Sequence, residues 1–216
     1  MTKEFSWDTL PETDLELEEL LLTARDEERD VEKIRIRGIT VSGLDMSGLG
    51  FYQVSFENCR FLGCCLEKAA FRMVRFKNCD LSNTDFGWGY LAVCLWEDVK
   101  AVGVKLQKVS FLRVRMKNCN LHYGNLGESK LEKWKAEACD FTEGFFVSCQ
   151  LKETLLQGNR FIRTSFFQTP LRGVDFTSCE LEAVQVSEDG KELAGAVVDV
   201  YQAAEFAKLL GLNVVG

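Results

Sequence analysis

The chain has 216 residues, with 33 acidic and 26 basic side chains and a formal net charge of −7 at pH 7. Its 46% hydrophobic content is enough to bury one large core, and only two prolines argue against a disordered chain. No apolar run approaches the roughly 18 residues of a membrane-spanning helix. The N-terminal residues lack the basic-then-apolar layout of a secretory signal, so a cytoplasmic location is expected.

Residues 1–30 are predicted to form an acidic segment that caps one end of the fold. Residues 1–32 contain 12 acidic and three basic side chains. Helical spacing of apolar residues is shown by Leu17, Leu20, Leu21 and Ala24. The same leucines also fit the start of an edge strand. The acidic side chains are interpreted as a solvated face that keeps an open end from polymerising.

Every fifth residue from position 31 to position 186 is apolar. This column has 32 positions and holds 12 of the 16 phenylalanines. A strict period of five matches neither the 3.6-residue period of a helix nor the alternation of a long strand. The column is predicted to form the core, chiefly through Phe51, Phe56, Phe61, Phe71, Phe76, Leu81, Phe86, Trp96, Phe111, Phe141, Phe146, Phe161, Phe166 and Phe176.

A second column, two residues before the first, is mostly small and holds eight of the nine cysteines; the exception is Cys65. These cysteines are interpreted as small inward-facing side chains, and their odd number fits a reducing compartment. A disulfide between Cys59 and Cys79 is not expected, because parallel inward side chains do not converge to disulfide geometry. Trp134 and Asn159 occupy positions where small residues belong, and a local bulge is predicted at residues 134–136.

Residues that carry chemistry are sparse. The sequence has one histidine, His122, and no C-x-x-C pair, so no metal site and no cofactor are expected. It shows no Ser/His/Asp constellation, no glycine-rich phosphate loop and no convergent carboxylate pair. The sequence therefore predicts a protein that is not an enzyme.

Quintets such as CDLSN (79–83), TDFGW (84–88), CNLHY (119–123) and CDFTE (139–143) resemble the pentapeptide-repeat motif of a small residue, Asp/Asn, Leu/Phe and two variable residues. The resemblance runs in one register through residues 31–188. It implies an all-β fold, a right-handed quadrilateral parallel β-helix with four quintets per 20-residue turn. Thirty-two quintets then give about eight turns and a shaft roughly 38 Å tall at about 4.8 Å per turn.

Residues 20 apart become vertical neighbours in such a shaft. An ion-pair ladder of alternating sign is predicted along one face by Arg37, Glu57, Lys77, Glu97, Lys117 and Glu137. One residue further on, a row suited to turn geometry is formed by Asn58, Asn78, Asp98 and Asn118.

Residues 189–216 are predicted to form a C-terminal helix followed by a short strand. Asp199 can cap a helix through VYQAAEFAKLLG that ends at Gly211, and residues 212–215 read as the strand. This ending resembles that of the quinolone-resistance (Qnr) subgroup, in a form without the two surface loops of many of its members. The resemblance implies a homodimer joined through Val200, Tyr201, Ala203, Ala204, Ala207, Leu210 and Leu212.

The same resemblance implies a partner. Qnr-like proteins bind the type II topoisomerases DNA gyrase and topoisomerase IV by resembling duplex DNA, and protect them from quinolones or gyrase poisons. Residues 171–216 hold eight acidic and three basic side chains, so a tail-to-tail dimer would have an acidic centre. The expected topoisomerase-facing residues are Asp175, Glu180, Glu182, Glu188 and Asp189.

Two alternatives stay open at the level of sequence. The first is a structural or protein-interaction β-helix with another partner. The second is a nucleic-acid binder that uses a basic run without acidic residues, comprising Lys100, Lys105, Lys108, Arg113, Arg115 and Lys117. Direct nucleic-acid binding is the less favoured of the two, because the run lacks the interleaved aromatic residues of single-strand binding platforms.

Overall fold

The computed structural model describes residues 5–13, 16–209 and 211–215, and most of them wind into a parallel β-helix of about eight turns. Every strand of the shaft pairs with residues 20 positions away, as Phe56 does with Phe76 and Phe76 with Trp96. Four quintets therefore complete each turn. The parallel β-helix implied by the resemblance to pentapeptide-repeat proteins is confirmed.

The shaft has four faces, which we number by the central residues of their quintets. The first face holds residue 36 and every twentieth residue up to 176. The second runs in the same way from 41 to 181, the third from 46 to 186, and the fourth from 51 to 171.

The first and fourth faces share one 12-stranded sheet that bends around the corner between them. Strands β1 (Val31–Arg37) and β3 (Gly50–Glu57) run through this corner. The fourth face continues with β5 (Ala70–Arg72), β7 (Tyr90–Ala92), β9 (Ser110–Leu112), β11 (Lys130–Glu132) and β13 (Gln150–Lys152). The first face continues with β6 (Arg75–Lys77), β8 (Leu95–Glu97), β10 (Arg115–Lys117), β12 (Lys135–Glu137) and β14 (Leu155–Gln157).

The second face has strands only at its two ends, where β2 (Thr40–Ser42) pairs with β4 (Arg60–Leu62) and β15 (Arg160–Ile162) with β16 (Glu180–Glu182). Elsewhere on the second and third faces, turns are joined by single bridges. Asp or Asn before the central residue causes many of these turns. Its side-chain oxygen accepts a hydrogen bond from the N–H two residues later, as Asp80 does from Ser82 at 3.0 Å. The same bond is made by Asp45, Asp85, Asn120, Asn125, Asp140 and Asp175.

The corner after most quintets lies in the left-handed region of backbone conformation. The predicted corner row has φ values of 55°, 51°, 54° and 52° at Asn58, Asn78, Asp98 and Asn118. Asn and Asp tolerate this region better than other non-glycine residues, so the assignment of this row to turns is confirmed.

The core is a stack of aromatic and aliphatic side chains along the shaft axis. All fourteen residues of the predicted core column are at most 3% exposed. Phe51 stacks on Phe71 and Phe56 on Phe76, each with ring centroids 5.0 Å apart, and Phe76 meets Trp96 edge-on at 5.6 Å. Close contact between the turns therefore comes from rings repeated every 20 residues.

The small inward column also links successive turns by hydrogen bonds. Its thiols and hydroxyls donate to carbonyl oxygens of residues 23 positions earlier in the chain. Cys79 Sγ lies 3.4 Å from the carbonyl oxygen of Phe56, and Cys149 Sγ lies 3.1 Å from that of Leu126. All nine cysteines are free thiols. Burial raises the pKa of Cys94 to about 12 and that of Cys149 to about 11, so both stay protonated donors at neutral pH.

The bulge predicted at residues 134–136 is wrong. Lys135 pairs with Arg115 on one side and Leu155 on the other, so the 20-residue register passes through without an insertion. Trp134 fits because the adjacent core position holds the small Ala136, and both are buried. Asn159 fits because its side chain donates to the carbonyl of Ala136 and accepts from the N–H of Cys139, each at 2.9 Å.

The predicted ion-pair ladder forms only in part. Strand pairing stacks the six residues as expected, and Arg37 pairs with Glu57 at 2.8 Å and Lys117 with Glu137 at 3.4 Å. Among the described residues no ion pair joins Lys77 to Glu57 or to Glu97, and none joins Glu97 to Lys117. Glu57 also pairs with the buried Arg75 at 2.5 Å, where the chain's N-terminal residues cover it, so a continuous ladder is a wrong prediction.

Both ends of the shaft are covered by helices. Helix α1 (Leu17–Asp26) buries Leu17, Leu21 and Ala24 against the first turn, which agrees with the helical reading of this segment. After a 3₁₀ turn at Lys191–Leu193, helix α2 (Val200–Leu209) covers the last turn. The strand predicted at residues 212–215 is not formed, because these residues extend beyond the last turn and lie exposed without a β partner.

Candidate interaction surfaces

Helix α2 is fixed to the shaft through one face only. Asp199 caps it by accepting a hydrogen bond from the N–H of Gln202 at 2.8 Å, and the Gln202 side chain accepts from the N–H of Asp199 at 3.0 Å. Nε2 of Gln202 donates to the carbonyls of Phe176 and Cys179 at 2.8 and 2.7 Å. Phe206 is the aromatic anchor beside it, and both side chains are buried.

The opposite face of α2 and the residues after it present apolar side chains to solvent. Val200 is 75% exposed, Tyr201 81%, and Leu212 61%. Ala203 is exposed, and Ala204 and Ala207 are half-buried. Leu210, the remaining residue of the predicted dimer contact, lies outside the described residues. The predicted dimer residues with a described position therefore share one end of the molecule and leave an apolar surface there.

The five acidic residues expected to face a topoisomerase surround the last turn rather than forming one patch. Asp175 lies on the first face, Glu180 and Glu182 flank Leu181 on the second, and Glu188 and Asp189 follow the third. All five are exposed. Hydrogen bonds from Thr177 hold the pKa of Asp175 below its usual value, and a hydrogen bond from the Ser187 hydroxyl does so for Asp189. We name these five residues the acidic ring.

A sixth carboxylate, Glu192, lies beneath the acidic ring and was not signalled by the repeat pattern, because it follows the last quintet. It is 2% exposed and accepts hydrogen bonds from the N–H of Gln168 at 2.8 Å and from the hydroxyl of Ser187 at 2.6 Å. Burial opposes its ionisation, but these hydrogen bonds outweigh burial and lower the pKa of Glu192. Glu192 thus closes the open end of the shaft by satisfying N–H groups that have no further turn above them. The Asp199 cap was predicted from the sequence, and its partner Gln202, three residues later, could also have been found from the spacing.

The basic run of residues 100–117 does not form one surface. One turn of the shaft carries these six residues around all four faces. Four of them have acidic neighbours: Lys100 pairs with Asp80 and Lys105 with Asp85, each at 3.1 Å, Lys108 with Glu128 at 3.6 Å, and Lys117 with Glu137. Only Arg113 and Arg115 lack a carboxylate partner among the described residues.

A third surface follows the corner between the fourth and first faces. We call it the corner groove; it lies between the corner column (Met73, Val93, Arg113, Lys133, Glu153) and the neighbouring first-face column (Arg75, Leu95, Arg115, Lys135, Leu155). Its lower section is covered by residues 5–13, which we call the N-terminal strap. The strap residue Glu12 pairs with Arg35 at 2.8 Å and with Arg37 at 2.9 Å.

No helix in the described ranges is long and apolar enough to cross a membrane. Within the same ranges, no group of three or more His, Cys, Asp or Glu side chains could hold a metal ion.

Comparison with known proteins identifies the repeat and the fold. A family model described as pentapeptide repeats, in eight copies, matches residues 51–87. The full-length structure of QnrB1, a plasmid-mediated fluoroquinolone resistance protein, is 24% identical and covers 83% of this chain and 91% of its own, with a TM-score of 0.51. A trypsin-treated QnrB1 variant is 22% identical over 84% of this chain and 92% of its own, with a TM-score of 0.52. No curated protein sequence matches the chain.

Proposed function

We propose that this pentapeptide-repeat β-helix is a Qnr-like homodimer that binds DNA gyrase or topoisomerase IV and protects the enzyme from quinolones or other gyrase poisons. One observation carries the proposal. At the C-terminal end of the shaft, helix α2 leaves an apolar face exposed, and the last turn beneath it carries the acidic ring. The similarity in fold to a fluoroquinolone resistance protein supports it.

The apolar side of α2 favours self-association. Val200 and Tyr201 lie exposed at the start of α2, and Leu212 lies exposed after it. Burying apolar surface of this kind in an interface stabilises the complex by about 25 cal/mol per Å². Large apolar side chains exposed together at one end of a protein are typical of an interaction site. Two copies joined there would form a rod of about 76 Å, taking roughly 4.8 Å per turn for the two shafts.

Charge supports mimicry of duplex DNA only at the centre of that rod. Duplex DNA carries roughly 45 phosphates over about 76 Å, whereas two chains carry a formal −14 in all, from −7 each. Residues 171–216 contribute eight acidic and three basic side chains, or −5 per chain, so about −10 falls within the dimer centre. A positively charged DNA-binding surface on a topoisomerase would therefore meet the acidic ring first.

The test is a gyrase supercoiling assay with ciprofloxacin, in the presence and absence of the protein. We expect the wild-type protein to restore supercoiling at a drug concentration that otherwise inhibits it. Glu182→Lys with Glu188→Lys should reduce this protection, because these two exposed residues have no ion pair among the described residues. Asp26→Lys with Glu28→Lys makes the same charge change at the opposite end of the shaft and is the matched control.

Dimerisation is measured separately by analytical ultracentrifugation. Tyr201→Asp should produce a monomer and abolish protection, since it places a charge in the apolar contact. If the wild-type protein neither binds gyrase or topoisomerase IV at micromolar concentration nor protects them, the proposal is wrong. The β-helix would then be interpreted as a scaffold for a different protein partner.

A further inference from the structure

We propose that the open section of the corner groove binds an acidic peptide segment of a partner protein, in the way that its lower section holds the N-terminal strap. The basic residues of this section lie at least two turns below the acidic ring, so the proposal does not depend on topoisomerase binding.

The lower section shows the mode of recognition within the chain itself. The indole Nε1 of Trp7 donates to the corner carbonyl of Met73 at 3.0 Å. The guanidinium of Arg75 lies 5.7 Å from the centroid of the Trp7 ring and pairs with Asp8 at 2.7 Å. Arg75 is only 5% exposed beneath this contact. A segment that carries one aromatic and one acidic side chain on a short 3₁₀ helix, here Trp7–Thr9, therefore fits the groove.

The open section repeats the same backbone two turns higher. Residue 113 stands in the column of Met73, and both have φ of 55°; residue 115 stands in the column of Arg75. The corner N–H groups of Met73 and Arg113 both bond to the next turn, each at 2.9 Å. The binding geometry that the strap uses is thus available again, and here no part of the described chain covers it.

The side chains of the open section are more basic than those beneath the strap. A groove of about 470 Å³ is lined by Arg113, Arg115, Lys133, Lys135, Glu153, Thr154 and Leu155. Lys133 lies 3.8 Å from Glu153, whereas Arg113, Arg115 and Lys135 have no ion pair within the described ranges. Leu155, at the upper end, is 57% exposed and offers an apolar contact for an aromatic side chain of a bound peptide.

The length of this basic section favours a peptide over a nucleic acid. The columns carry Val93 and Leu95 one turn below it and Glu153 and Leu155 one turn above it. Basic side chains therefore occupy only two adjacent turns, about 4.8 Å apart. A nucleic-acid backbone is followed by a longer row of cations, whereas two acidic side chains with a flanking aromatic residue match two turns.

The experiment uses the full-length protein and a fluorescein-labelled peptide with the sequence of residues 5–13, FSWDTLPET, in a fluorescence anisotropy titration. We expect binding that weakens as salt is raised. Replacing the peptide's aspartate and glutamate by asparagine and glutamine should weaken it as well.

Arg115→Gln with Lys135→Gln removes two charges from the groove and should lower peptide affinity by about fivefold to tenfold. Arg60→Gln with Lys130→Gln is the matched control, because these residues also lie exposed on strands without an ion pair in the described chain. Equal peptide affinity of the two double variants would overturn the proposal. So would tighter binding of a 20-base-pair DNA duplex that is lost in the groove variant alone, which would identify a nucleic-acid site.

Discussion

Replacing Gln202 by leucine should detach the C-terminal helix from the shaft. The substitution keeps the size of the side chain but removes the donors that satisfy the carbonyls of Phe176 and Cys179, at 2.8 and 2.7 Å, and the acceptor for the N–H of Asp199. The carbonyl of Phe176 still accepts from the N–H of Cys179 at 2.7 Å, but the carbonyl of Cys179 and the N–H of Asp199 lose their partners. A polar group left without a partner costs about 1–3 kcal/mol, so the two groups together cost about 3 kcal/mol, in the lower part of their combined range.

Urea unfolding followed by circular dichroism measures this loss, and sedimentation velocity measures the proposed dimer. We expect the free energy of unfolding of the last turns to fall by about 3 kcal/mol, and the proposed dimer to weaken with it because Val200 and Tyr201 belong to the same helix. Gln157→Leu, at an exposed strand position, is the control. An unchanged unfolding midpoint for Gln202→Leu would show that α2 is held by Phe206 alone.

Three further outcomes follow from the shaft and its caps. Because hydrogen bonds lower the pKa of Glu192, the stability that this carboxylate contributes is present above its unfolded pKa of about 4.5 and is lost as pH falls. In thermal melts from pH 7 to pH 3, the Glu192→Gln variant should therefore lack this part of the acid-dependent loss of stability. A thiol reagent such as DTNB should modify at most Cys65 rapidly in the native protein and all nine cysteines after unfolding, and rapid native modification of several thiols would contradict the packed inner column. Trp134→Ala should cost about 3–5 kcal/mol in urea unfolding, and adding Ala136→Phe should restore part of it if the two side chains share one space.

The repeat was predictable because the physical constraint acts on every quintet. An inward column of apolar residues and a second column of small residues are both visible in the sequence, and the resemblance to pentapeptide-repeat proteins then implies turns of 20 residues. The order of strands and turns could also have been found, since Asp80, Asn120 and Asp140 each precede a central residue and form the side-chain bond that replaces a strand.

What the sequence did not reveal depends on contacts outside the repeat. Glu57 pairs with Arg75 and not with Lys77, and Arg75 also pairs with Asp8 from a segment 67 residues away that folds back over it. No periodicity encodes that contact. The large Trp134 in a column of small residues predicted a bulge, but the small Ala136 at the adjacent core position leaves room for the indole ring. The strand predicted at residues 212–215 was inferred from composition, but a strand needs a partner edge, and the shaft has ended before that segment begins.

The basic residues show how misleading a linear run is in this fold. Each quintet turns the chain toward the next face, so Lys105 and Arg115 are ten residues apart yet lie on the third and first faces. Lys135, twenty residues from Arg115, is its direct neighbour on the adjacent strand. The core uses only the central and small positions of a quintet, and the remaining positions can vary without disturbing it. An acidic ring at one end and a basic groove along one corner can therefore coexist on a uniform shaft, and specificity for partners must come from residues spaced by 20.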